Sequence, residues 1–157
     1  MSDIDVAGIQ LSLTGPEQLR AAAVRLDSPT YDMNQTFFRL IMRNAGGHPI
    51  TMPLAEIRRN VMRVYTNLET GRSEMLDEPL PPIPQGLVET IAPGESREII
   101  VQFIYPEALV ERPRKVLDIR FCVRWRPEWL RSQYYEPGSY QWNEPFDVCT
   151  DVTIVDA

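Results

Sequence analysis

The sequence predicts an all-β chain: a two-layer antiparallel β-sandwich of immunoglobulin-like or fibronectin-like topology with eight or nine strands, forming a single domain over residues 1–157. Three observations predict it. Apolar and polar residues alternate in short runs, the period that turns one face of a strand toward a core. The 14 prolines and 8 glycines are spread along the chain, where they interrupt long helices. A chain of 157 residues, 43% of them hydrophobic, is sufficient for one domain with its own core.

The first strand alternates Ile9, Leu11 and Leu13 with Gln10 and Ser12 and closes at Thr14-Gly15-Pro16. Residues 16–26 fit two patterns. Leu19, Ala22, Ala23 and Leu26 suit one face of a short helix, whereas Ala22, Val24 and Leu26 suit a strand, and strand is preferred because the neighbouring strands need a partner. Phe38, Leu40 and Met42 form one face of the next strand, which ends at the turn Asn44-Ala45-Gly46-Gly47-His48-Pro49. Residues 60–67 read as a strand, joined through Leu68-Glu69-Thr70-Gly71 to a return run through Met75 as a hairpin. Pro79, Pro81, Pro82 and Pro84 remove amide donors, so this stretch reads as an extended connection.

Pro93-Gly94-Glu95 turns into a strand that is apolar on both faces, with Ile99, Val101, Phe103 and Tyr105 on one side and Ile100, Gln102 and Ile104 on the other. Such a strand is either covered on each side or part of an interface. Residues 116–126 give the clearest alternation: Leu117, Ile119, Phe121, Val123 and Trp125 inward, Asp118, Arg120, Cys122, Arg124 and Arg126 outward. The last strand repeats it, with Phe146, Val148, Val152 and Ile154 inward and Asp147, Cys149, Asp151 and Thr153 outward. Setting Cys122 opposite Cys149 places Arg120 opposite Asp151 and Arg124 opposite Asp147, so charge matching and apolar phase predict one register. The thiols then come within reach of a disulfide, but a reducing cytoplasm would keep them free. The turns Pro93-Gly94-Glu95 and Pro137-Gly138-Ser139-Tyr140 look like those of bacterial sandwich modules, a resemblance of architecture only.

Composition excludes several functions. A net charge of −6 is a poor match for a phosphate backbone, so nucleic acid is not an expected partner. The acidic N-terminus lacks the pattern of an export signal and the longest apolar run is far shorter than a membrane span, which predicts a cytoplasmic location and no membrane partner. The excess of arginine, with Lys115 the lone lysine, reads as codon bias, and the basic cluster Arg112, Arg114, Lys115, Arg120, Arg124 and Arg126 as a charged outer face partly neutralised by Asp147 and Asp151. One histidine, His48, sits in a turn, and no nucleophile elbow, phosphate loop or metal-ligand spacing occurs, so neither cofactor nor metal is expected. An enzyme is disfavoured, the remaining option being a small hydrolase with a carboxylate pair the pattern does not mark.

The aromatic residues between 125 and 142 stand out. Trp129, Tyr134, Tyr135, Tyr140 and Trp142 occupy a long connection that either caps the core or offers rings to a partner. These five are the candidate binding residues, and Ile100, Gln102 and Ile104 form a candidate self-association face. The expected function is a non-enzymatic protein-interaction or assembly module, with possible homo-oligomers. Carbohydrate binding through the Trp/Tyr connection 125–142 is the alternative.

Overall fold

The computed structural model describes residues 4–6, 8–77, 88–110, 116–126, 129 and 146–155. The chain is mostly β. In order come β1 (Ile4–Val6), β2 (Ile9–Thr14), β3 (Gln18–Arg20), α1 (Ala21–Val24), a 3-10 turn (Met33–Thr36), β4 (Phe37–Asn44), β5 (Ile50–Met52), α2 (Leu54–Arg59) and β6 (Met62–Asn67). There follow β7 (Ser73–Asp77), β8 (Glu89–Ile91), β9 (Ser96–Gln102), a second 3-10 turn (Glu107–Leu109), β10 (Val116–Trp125) and β11 (Phe146–Val155). The described residues thus hold eleven strands rather than eight or nine, because short pairings such as β5 with β8 carry too few residues to show alternation.

The strands form a four-stranded sheet in the order β1-β2-β4-β9, a five-stranded sheet in the order β3-β11-β10-β6-β7, and the two-stranded β5-β8. Pairing is antiparallel except where β3 runs parallel to β11, which corrects the expectation of wholly antiparallel sheets. The same segment resolves the ambiguity at residues 16–26. Its first part pairs as a strand and its alanines close one helical turn, with Leu19, Ala21 and Val24 buried. The helix α2 went unrecognised because it spans barely two turns; it buries Leu54 and Ile57, one turn apart.

Inward residues of both large sheets belong to one core: Ile9, Leu11 and Leu13 of β2, Phe38, Leu40 and Met42 of β4, and Leu117, Ile119, Phe121, Val123 and Trp125 of β10. An aromatic cluster joins the sheets. Phe38 meets Phe121 edge-on at 4.9 Å, Tyr65 stacks on Phe121 at 5.1 Å, and Phe103 contacts Phe38, Tyr65 and Phe121 at 5.1–5.7 Å. Gly15 lies so close to the Phe38 ring that a β-carbon there would overlap it, so the turn after β2 admits only glycine.

The register of β10 and β11 is as expected: Arg120 faces Asp151, Cys122 faces Cys149 and Arg124 faces Asp147. Arg124 Nε donates to Asp147 Oδ1 at 2.9 Å and Arg120 Nε to Asp151 Oδ1 at 3.1 Å. Donating to the Asp147 carboxylate holds the Arg124 guanidinium above its ordinary pKa. The cysteines, expected free, are bonded to each other; the register sets them directly opposite, with Cα atoms 4.0 Å apart. Among the described residues no helix is long and apolar enough to cross a membrane. The proline-rich connection around Pro81 lies outside the described residues.

Two measurements check this account. Bridging cysteines 27 positions apart removes about 3.5 kcal/mol of loop-closure freedom from the unfolded chain, so a Cys122→Ala/Cys149→Ala variant loses about 2–4 kcal/mol in urea unfolding. Alkylation without reductant leaves the intact mass of the native protein unchanged. Phe121→Ala costs about 3–5 kcal/mol, whereas Arg120→Ala, which removes an exposed ion pair, costs less than about 1 kcal/mol.

Candidate binding groove

The five aromatic residues expected to bind fall into two groups. Trp129 is buried, its ring set edge-on to that of Trp125 at 4.9 Å, so it packs on the core and offers no face to a partner. This corrects its assignment as a contact residue: an indole four residues past a buried Trp125 gains more by covering that ring than by meeting water. Tyr134, Tyr135, Tyr140 and Trp142 lie outside the described residues.

The residues expected to form a self-association face lead elsewhere. β9 is an edge strand rather than a central one: Ile99 and Val101 are buried, while Ile100 on the outward face is half exposed. The edge away from β4 is attended by α2, which packs alongside it, and by Arg63, whose Nε donates to the Gln102 carbonyl at 2.7 Å. Gln102 and Ile104, however, help to line a cavity of about 390 Å³ between the end of β9 and the loop that follows α1. Val24, Leu26, Phe103 and Ile104 supply apolar walls, and Asp27, Tyr31, Gln102, Tyr105 and Glu107 the polar and aromatic ones.

The groove is built from the core outward. Tyr65 is buried in the aromatic cluster, and its hydroxyl accepts the Ile104 N–H at 2.9 Å. Phe103 N–H donates to the Thr36 carbonyl at 2.6 Å, continuing the β4–β9 ladder one residue past β9. These two bonds fix residues 103–105 as one wall. The opposite wall follows α1, where Arg25 N–H donates to Ala21 O and Asp32 N–H to Ala23 O. A hydrogen bond of 3.1 Å from the Gln102 amide to the Tyr31 hydroxyl spans the walls. Arg25 lies with its guanidinium 5.6 Å from the centre of the Tyr105 ring and 3.4 Å from the Asp27 carboxylate.

Chemically the groove suits binding. Asp27 and Glu107 both line it and are exposed to water. Among the described residues no group of three or more His, Cys, Asp or Glu could hold a metal ion. His48 is exposed in its turn and does not line the groove. Sequence reasoning missed Tyr31, Asp27 and Glu107, which meet only in three dimensions. It also missed two buried asparagines that brace the turns: Asn44, whose amide bonds the His48 and Ile91 carbonyls, and Asn67, which reaches Leu109 O. Comparison with protein-family models, with curated proteins and with solved structures finds no match for this chain.

Burial drives the Tyr65 phenol well above its ordinary pKa near 10, since charge there would be left in the apolar cluster. A phenol raised in the folded state contributes stability that is intact below about pH 10, where the unfolded phenol ionises, and falls above it by about 1.4 kcal/mol per pH unit. Tyr65→Phe therefore loses about 1 kcal/mol at pH 8, when the Ile104 N–H gives up its acceptor, and the gap to the native protein narrows between pH 10 and 11. Urea unfolding across that range checks the convergence.

Proposed function

We propose that the chain is a non-enzymatic protein-interaction module of immunoglobulin-like or fibronectin-like topology, which binds a partner protein at the groove beside β9. The strand order supports the topology. A sheet β3-β11-β10-β6-β7 facing a sheet β1-β2-β4-β9 corresponds to strands G, F, C and C′ opposite A, B and E of a variable-type sandwich, with β1 as an extra strand beside A and β3 as one parallel to the last. The single observation that carries the function is the apolar rim of the groove. Leu26 is 77% exposed and Ile104 36%, and both line a concave site of about 390 Å³. Isolated exposed apolar residues are ordinary, whereas a cluster around a cavity marks a binding surface.

The carbohydrate reading loses one of its stacking platforms with the burial of Trp129. Self-association uses the same rim and is the alternative occupant. A bonded cysteine pair fits an oxidising compartment better than the cytoplasm.

Photo-crosslinking tests the function directly. A benzophenone side chain at position 104 of the full-length protein, expressed in its native cells, yields a discrete heterologous adduct that Leu26→Asp removes. The same group at Thr66, on the outer face of the five-stranded sheet, yields none. Equal adducts from both positions, or none from position 104, contradict the assignment.

A further inference from the structure

We infer that the groove receives the side chain of an arginine or lysine from an extended, basic–apolar segment of a partner protein. The inference rests on reading the groove as a partner site and adds the chemistry of what enters it. Polar atoms that line the cavity are biased toward acceptors. Asp27 and Glu107 contribute carboxylates, and Gln102, having given a side-chain N–H to Tyr31, keeps its side-chain oxygen Oε1. Among the described residues no lysine, arginine or histidine lines it. The nearby cations are engaged: Arg25 with Asp27 and the Tyr105 ring, Arg63 with the Gln102 backbone carbonyl and Arg72 with the Ala108 carbonyl. Among the described residues no cation pairs with Glu107, the remaining carboxylate.

A ligand for this site must therefore bring donors and positive charge on an apolar stem. An anion would meet two carboxylates, and a wholly apolar occupant would desolvate Glu107 without compensation. Arginine and lysine satisfy both demands, since their methylene stems lie on apolar walls while the head reaches polar atoms. The walls already show the match in miniature, with the chain's own Arg25 guanidinium over the Tyr105 ring. Leu26 and Ile104 at the rim, with Ile100 beyond, call for apolar residues beside the basic one. A net charge of −6 would speed the approach of such a segment.

The test uses the full chain and three fluorescein-labelled hexapeptides in which leucine alternates with arginine, glutamine or glutamate, followed by anisotropy at 150 mM salt. The arginine peptide is expected to bind at least about fivefold tighter than the glutamine peptide, and Glu107→Gln to remove that advantage. Glu89→Gln, an equal charge change at an exposed site on β8, is expected to leave it intact. Ile104→Asp is expected to abolish binding with its melting temperature within a few degrees of the native value, since the side chain is partly exposed. Equal binding of the arginine and glutamine peptides, both lost in Ile104→Asp, overturns the charge inference and leaves the groove as a partner site. Equal weakening by Glu89→Gln and Glu107→Gln overturns it too, because only bulk charge would then be at work. Binding by no peptide, or binding indifferent to Ile104→Asp, overturns the groove reading as well.

Discussion

The contact of four rings, Phe38, Tyr65, Phe103 and Phe121, is the constraint on which the rest of the molecule depends. Each comes from a different part of the chain, two from each large sheet or its immediate extension, and centroid distances of 4.9–5.7 Å leave little room for one sheet to slide over the other. Tyr65 gives the cluster a polar end. A phenol buried among rings needs a hydrogen-bond partner, and here the hydroxyl takes the amide of Ile104, the first residue beyond Phe103. The packing that closes the core thereby dictates where the chain goes when it leaves β9, and the groove wall is the consequence.

Legibility in the sequence followed the physics of each element. The pairing of β10 with β11 could be read residue by residue because three independent signals, apolar phase, opposite charges and a cysteine pair, agree on a single register. Long strands with one dry face announce themselves in this way, as β2 and β4 do. Four-residue α1, three-residue β3 and the β5–β8 pair are shorter than the window over which periodicity has meaning, and tertiary contacts decide their state. Bonding of the cysteines follows the register, which sets them directly opposite, rather than the compartment the sequence suggests.

The candidate site was legible only in part. Ile104 and Gln102 were marked by an apolar run that looked too greasy for an exposed strand face. Their partners across the groove, Tyr31 and Asp27, sit about seventy residues earlier in a turn region with no distinguishing pattern. Trp129 illustrates the opposite error, since clustered aromatic residues look alike in sequence whether they cover a core or face a partner.

Charge is distributed in keeping with this division. On the outer face of the five-stranded sheet arginines and aspartates neutralise each other across strands, which makes that surface self-sufficient. At the groove the carboxylates outnumber the cations that answer them, beside apolar side chains exposed to water. The core holds this groove ready-made through Tyr65 and Ile104. Amide hydrogen exchange of the free protein tests it most directly. The Ile104 amide is expected to exchange as slowly as the central residues of β4 and β10, and Tyr65→Phe to release it selectively; exchange of the Ile104 amide at the rate of an open loop in the native protein would rule out a preformed wall.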